Sequence, residues 1–467
     1  MNCRGKILSE DFVNLIQESL GMDDSERLFK SLEAGEDIVS VRINSHKCFE
    51  GDDSSLPLFA KKIFGDNLDA AVEWCKSGYY LKQRISFTAD PYFHCGAYYV
   101  QDASSMFPSI ISKFFGDLKG ARVLDLCAAP GGKSTHLASL LEESSLLVSN
   151  EVIRKRVLPL MDNIAKWGCA NVVVTNNFPD VLGGLHNFFD LIFADVPCSG
   201  EGMFRKSGEA MDGWSLGAVR ECAAKQKQIV SDVWTALKEG GIFVYSTCTY
   251  NHYEDEDNVD FICRNLGAEV LESAKFIPGV IRGEGQFYAV LKKNSAGAGW
   301  VAGTPNLKSN SVPKTVRQDC CNWLGDKYIY VRRDDGMVKA YPKTLAGDII
   351  FLEKYLNVAA SGIAVAIAKG SDVIPYADLA LCNDFGNLNF LQNEENRGRL
   401  FPSYELTKEE ALQFLTKRPL VLSQMPRGYI FLTYSGLGLG FVKNLGNRTN
   451  NLLPAGRAIH STKLVDS

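Results

Sequence analysis

Long apolar runs are what this sequence has least of. The stretch Val358–Ala368 (VAASGIAVAIA) reaches about half the ~20 residues that a membrane-crossing helix needs. The opening residues, MNCRGKILSEDF, lack the hydrophobic centre of a secretory signal, so a cytoplasmic protein is expected. Cysteine occurs 13 times, an odd number, yet never as C-x-x-C. That argues against a zinc site and a secreted disulfide framework, and points to a reducing compartment. The six histidines stand alone, so no metal is expected. Surplus positive charge is missing as well: Lys and Arg total 50 against 55 Asp and Glu, for a net charge of −5. A general polyanion coat is disfavoured, while a local basic patch is not. What remains is 467 residues, 46% hydrophobic and 22% charged, an ordinary globular composition. At ~100–200 residues per domain there is chain for about two to four domains.

Three regions separate by pattern. Residues 1–92 hold an amphipathic stretch, Glu10–Leu20, and an alternating strand-like run, Val39–Asn44. Residues 93–293 repeat strand, turn and helix. Apolar runs at Arg122–Leu126, Leu146–Ser149, Asn171–Thr175, Phe189–Ala194 and Gly241–Tyr245 alternate with helical patterns such as Ile153–Trp167. The alternation predicts an α/β fold with a doubly wound, mostly parallel sheet. Residues 294–318, rich in Gly, Ser, Asn and Pro, suit a linker. Residues 319–467 suggest a small α+β or β-barrel region, so truncation near 318 is expected to weaken RNA binding more than cofactor binding. The acidic run Glu254–Asp260 has the pattern of a solvated helix start.

The first apolar run of the central region leads into Cys127-Ala128-Ala129-Pro130-Gly131-Gly132-Lys133. Small residues between a strand and a helix let backbone approach a ligand, and the helix start offers free N–H groups. Gly132-Lys133-Ser134 imitates the end of a P-loop, but the glycine that motif needs five residues earlier is Cys127. Glu151, at the end of the next strand, is placed to accept from both hydroxyls of a ribose. Loop and carboxylate together point to a nucleoside-type cofactor without naming it.

Two cysteines fall just past strand-like runs, where a doubly wound sheet presents its ligands. Cys198 lies three residues after Asp195, in Ala194–Gly202 (ADVPCSGEG), and Cys248 lies in Val244–Tyr250 (VYSTCTY). A lone buried cysteine is ordinary packing, whereas two at strand ends suit nucleophilic chemistry. A redox pair is the competing reading, although no G-x-G-x-x-G follows the first strand to hold a dinucleotide.

The segments DLCAAPGGKSTHLA, SNEVIRKR, FADVPCSGEGMFRK and YSTCTYN, in this order, resemble the Sun-type (Nol/Nop/Sun) RNA cytosine-5 methyltransferases. The likeness is to the bacterial branch that acts on 16S ribosomal RNA. Arg42–Asn44 and Tyr98–Met106 are similar to that family's N-terminal signatures, and Leu437–Pro454 resembles its appended PUA-like RNA-binding module, here about residues 400–467.

The resemblance implies a Rossmann-type methyltransferase domain with S-adenosylmethionine as donor. Cys127, Ala128, Ala129, Pro130, Gly131, Gly132 and Lys133 would cradle it, with Glu151 on its ribose and Asp195 on the pocket floor. It implies Cys248 as nucleophile and Cys198 as the helper that releases the product. A thiolate on carbon 6 makes carbon 5 of cytosine able to take a methyl group, and Asp195 suits the partner of ring N3. Relatives carry an acidic residue near the adenine amine; counting from Glu151 reaches Phe178, or Asn177 with a shift of one, and Asn177 can accept through its amide oxygen. Lys133 and Arg205 are candidate phosphate or carboxylate partners, or plain surface charges. Methylation of another RNA such as tRNA, and a non-catalytic ribosome-assembly role, are the alternatives.

Between Lys417 and Lys463 the charged residues are all basic: Lys417, Arg418, Arg427, Lys443, Arg448, Arg457 and Lys463. With Tyr429, Phe431, Tyr434 and Phe441 interleaved, this stretch suits contact with structured RNA.

Overall fold

The computed structural model describes residues 2–3, 6–48, 55–116, 118–206, 208–294, 312–370, 372–385 and 401–459. Most of the expected linker, and Lys463 of the basic set, lie outside the described residues. Among those described, no helix is long and apolar enough to cross a membrane.

Helix α1 (Glu10–Ala34) begins where the Ser9 hydroxyl accepts the Phe12 N–H at 3.2 Å. Strands β1 (Val39–Ile43), β2 (Leu68–Val72), β3 (Cys75–Leu81) and β4 (Tyr98–Val100) form an antiparallel sheet in the order β2-β3-β1-β4. Its last strand therefore comes from beyond residue 92.

The central unit runs β5 (Arg122–Asp125), α2 (Gly132–Leu140), β6 (Leu146–Asn150), α3 (Arg154–Trp167), β7 (Val172–Thr175), β8 (Phe189–Asp195), α4 (Leu216–Val233), β9 (Leu237–Thr247), α5 (Glu256–Leu266), β10 (Ala268–Phe276) and β11 (Gln286–Lys293). Strands β5 to β9 are parallel, and β10 and β11 close one edge antiparallel. On β5, Val123 packs among Leu137, Val157 and Leu160, while its neighbour Leu124 joins the cluster of Val230 and Val233 on the other face. The two-residue period of a strand thus feeds a core on each side of the sheet.

The C-terminal third contributes α6 (Lys314–Leu324), β12 (Tyr328–Arg332), β13 (Met337–Pro342), α7 (Ala346–Tyr355), β14 (Val358–Ser361), β15 (Ile363–Lys369), β16 (Asp372–Pro375) and α8 (Ala377–Leu381). After these come β17 (Ser403–Glu405), α9 (Lys408–Leu415), β18 (Gly428–Tyr434), β19 (Leu437–Asn444) and β20 (Thr449–Asn451). Helix α6 starts inside the stretch with linker composition. Strand β14 pairs antiparallel with β7, so the central sheet has eight strands in the order β10-β11-β9-β8-β5-β6-β7-β14. The sheet is not confined to residues 93–293, because the edge of β7 needs a partner and a distant segment supplies it.

The two ends of the chain also share one core. Val39, Val41 and Ile43 of β1 cluster with Phe414 and Leu415 of α9 and with Ile430, Leu432 and Leu439. A cut near residue 318 would remove both β14 and half of this core. Such a cut would therefore disturb more than the C-terminal region itself.

Candidate active site

Strand order reverses at β5, which lies between β6 and β8, and this is where a doubly wound sheet opens a ligand crevice. Beyond it, the Leu126 N–H donates to Phe193 O at 2.8 Å, and the chain turns through a cis Ala129–Pro130 bond into α2. Gly131 sits at φ 113°, a conformation that favours glycine. The turn is held from several sides: Ala128 N–H to Asn150 O at 2.8 Å, Arg156 to Ala129 O at 2.6 Å, and Asn163 to Pro130 O at 2.9 Å. A cavity of about 210 Å³ opens against Cys127, Ala128, Ala129, Pro130, Gly132, Lys133 and Asp195. Tyr99 of β4, with Gln101 and Asp102 just after it, adds to its wall.

Arg42 reaches this loop from β1. Fully buried, it donates to Gln101 Oε1 at 2.7 Å, to Thr135 Oγ1 at 2.6 Å and to Gly132 O at 3.1 Å, and it stacks over Trp167. Burial lowers its affinity for its proton, to a pKa of about 10, so it remains charged at neutral pH. The Arg42 and Tyr98–Met106 signatures could have signalled this role, but no spacing in the sequence links them to Gly132.

Asp195 ends β8. One carboxylate oxygen accepts from Lys133 Nζ at 2.7 Å; the other accepts from Ser246 Oγ at 2.7 Å and Gln286 Nε2 at 3.2 Å. Burial disfavours the Lys133 ammonium, but Asp195 outweighs it and raises the pKa. The Cys198 and Cys248 sulfurs are 2.9 Å apart, and the Cys248 N–H points at Cys198 Sγ at 3.3 Å. The hydrogen bond to Cys248, together with burial, pushes the Cys198 thiol well up, so it stays protonated. Cys248 is half-buried, two residues past Ser246 and within electrostatic reach of Lys133. The sequence-derived trio of Asp195, Cys198 and Cys248 therefore converges beside the loop.

Other expected site residues stand differently. Glu151 is buried at the end of β6, outside the cavity wall; its Oε1 accepts the Ile153 N–H at 2.7 Å and Arg156 lies 3.4 Å from its Oε2. The Asn177 amide is engaged by the C-terminal third, accepting from Asn357 N–H at 3.0 Å and donating to Asn357 O at 3.3 Å. Asn177 thereby clasps the segment entering β14, while Phe178 is exposed. Arg205 is buried and bonded to Glu284, Ser31 and Gly283 O, so it is not a surface charge and its donors are committed within the protein. Arg457 is paired with Asp162 and Asp378, which removes it from the free basic set.

Residues 117–296 match the family model described as 16S rRNA methyltransferase RsmB/F. Residues 8–103 match the N-terminal domain of 16S rRNA methyltransferase RsmF, and residues 401–459 its PUA domain. The chain is 29% identical over 496 residues to Ribosomal RNA small subunit methyltransferase F of Shewanella loihica, covering 96% of this chain and 94% of the relative. It is 40% identical over 201 residues to the protein of that name from Vibrio vulnificus, covering 42% and 41%. Among solved structures, a methyltransferase homolog protein from Pyrococcus horikoshii superposes with a TM-score of 0.51 at 25% identity, covering 61% of this chain and 95% of that one. NSun6 from the same organism, solved with SFG, has a TM-score of 0.52 at 18% identity over 62% and 99%, a likeness of fold.

Proposed function

The chain belongs to the family of RNA methyltransferases described as 16S rRNA methyltransferase RsmB/F, and from that premise we propose that it methylates carbon 5 of a cytidine in 16S ribosomal RNA. The observation that carries this reading is the 2.9 Å approach of the Cys198 and Cys248 sulfurs beside the Lys133–Asp195 ion pair.

The cradle fits S-adenosylmethionine. A Cβ at Gly132 would lie 3.2 Å from the Tyr99 ring, so bare backbone faces the cavity wall, as close approach of a ligand requires. Cys127–Lys133 would hold the cofactor with Tyr99 and Gln101, and Glu151, just past β6, would take the ribose hydroxyls. When bound, the cofactor supplies an electrophilic methyl group.

Cys248, as thiolate, adds through Sγ to carbon 6 of the base, forming an S–C bond and moving the ring's electron pair toward carbon 5. Asp195 orients the edge that carries N3, and Lys133 beside it offsets the charge the ring gains. After methylation the carbon-5 proton passes to solvent and the S–C bond breaks. Cys198, held as a thiol, hydrogen-bonds the departing Cys248 sulfur. A base reaches this site only out of its stack, which suits a single-stranded or loop cytidine. The exposed Lys417, Arg418, Arg427 and Arg448 are the cations that would meet RNA phosphates.

Cys248→Ala is expected to abolish methyl transfer to 16S rRNA, and Cys198→Ala to accumulate a covalent RNA–protein adduct on denaturing gels. Mass spectrometry of the digested rRNA reads the modified atom. A methyl group anywhere but carbon 5 of cytidine overturns the proposal, as does full activity in Cys248→Ala.

A further inference from the structure

The acidic run Glu254–Asp260 has the sequence pattern of a solvated helix start, yet Glu254 and Asp255 are fully buried and α5 begins at Glu256. Glu254 Oε2 accepts the N–H of Ser199, the residue after Cys198, at 3.0 Å. It also accepts from Gln226 Nε2 of α4 at 2.7 Å, and the same amide donates to Pro197 O, just before Cys198, at 2.9 Å.

The bonds in the other direction mirror these. Glu201, three residues past Cys198 and fully buried, accepts the N–H groups of Tyr250 at 2.8 Å and Asn251 at 3.2 Å, just past Cys248. Its second oxygen accepts from Asn251 Nδ2 at 2.9 Å and Trp214 Nε1 at 3.0 Å. Asn251 Nδ2 donates to Glu254 Oε1 at 2.9 Å as well. Each cysteine segment thus sends a carboxylate to the backbone N–H groups of the other, and Asn251 joins the two. The Gly202 N–H donates to Cys248 O at 2.8 Å, and a Cβ at Gly202 would lie 2.8 Å from that oxygen, so the segments touch backbone to backbone.

Neutral donors alone surround the Glu201 carboxylate in these bonds. Its carboxyl is pushed above the usual range, chiefly by burial. Burying such groups is unfavourable unless hydrogen bonds offset it, and apolar side chains hold segments together at least as well. What carboxylates add is a fixed direction and distance for the N–H groups flanking both thiols. We propose that Glu201 and Glu254, coupled through Asn251, are positioning residues that hold the Cys198 and Cys248 sulfurs in register for nucleophilic addition and release. The inference rests on the reading of these cysteines given above.

The test uses full-length Glu254→Gln and Trp214→Phe, the latter deleting one N–H bonded to Glu201 while keeping a ring. Without RNA, iodoacetamide alkylation of each cysteine is followed by peptide mass spectrometry. In the native protein Cys248 is expected to react faster than Cys198; in Glu254→Gln that ratio falls by about tenfold as Cys198 is freed, and in Trp214→Phe by less. With RNA and cofactor, both variants are expected to keep cofactor KM while adduct outlasts methyl transfer, as in Cys198→Ala. Native alkylation ratios and adduct lifetimes in both variants overturn the inference. So does uniform slowing that matches a loss of folded protein in thermal melts. If Cys198→Ala itself traps no adduct, the reading of the cysteines fails, and the alkylation ratio still decides the positioning role.

Discussion

Lys133 Nζ and Asp195 Oδ2 are 2.7 Å apart, and their ion pair joins the first turn of α2 to the end of β8 where the strand order reverses. The pair is partly open to solvent, and in the mechanism proposed above its Lys133 charge offsets the electron density the base gains. Lys133→Met is therefore expected to lower the methyl-transfer rate on the order of 100-fold with little change in melting temperature. Native turnover in this variant would make the pair a structural contact.

Arg42 makes its bonds through a planar fork, a geometry that lysine cannot copy. A lost charge-assisted bond is worth about 1.5–3 kcal/mol, so Arg42→Lys is expected to weaken cofactor binding by about tenfold or more. Calorimetric titration with S-adenosylhomocysteine measures this, and RNA affinity is expected to hold.

Arg457 and Arg427 belong to one basic stretch but predict opposite outcomes. Arg457 joins Asp162 of α3 to Asp378 of α8, so Arg457→Ala cuts that link, with Asp162 still paired to Lys166, and is expected to cost about 1.5–3 kcal/mol of stability. Arg427 is exposed; Arg427→Ala is expected to weaken RNA binding and to reduce the salt slope by about one, without a stability change. Urea unfolding and filter binding across a salt series separate the two.

Asp125, fully buried at the end of β5, has its pKa raised by burial to about 7, with the Ser134 hydroxyl opposing. The folded chain keeps this proton up to about pH 7, whereas the unfolded chain releases it near about pH 4. The stability it contributes is therefore full below that lower value and is lost as pH rises toward 7. Asp255, also raised to about 7 by burial, acts with the same sign. Asp125→Asn is expected to flatten, not remove, the decline in unfolding free energy from pH 5 to pH 7.

The legible parts were those written locally. The run Phe189–Ala194 became β8 (Phe189–Asp195), and the pattern Ile153–Trp167 became α3 (Arg154–Trp167), because buried strands and amphipathic helices carry their periods in adjacent residues. Cys198 and Cys248 could be brought together from sequence since both follow parallel strands. Glu254 was not legible: a carboxylate is read as solvent-facing until Ser199 and Gln226 arrive from elsewhere in the chain. The clasp of Asn177 on Asn357 was hidden for the same cause, the two being 180 residues apart. Strand β14 hid inside an apolar run whose partner, β7, shares no local signal with it.

That late strand has a consequence for synthesis. A ribosome releases the chain from its N-terminus, and until Ser361 has emerged the N–H and C=O groups of Val172–Thr175 that face away from β6 lack their partner strand. The nascent chain therefore passes through a stage with Asp195, Cys198 and Cys248 all made and one flank of its sheet raw, open to zippering with a neighbouring chain. Completion of the polypeptide, not of the catalytic motifs, is what seals it.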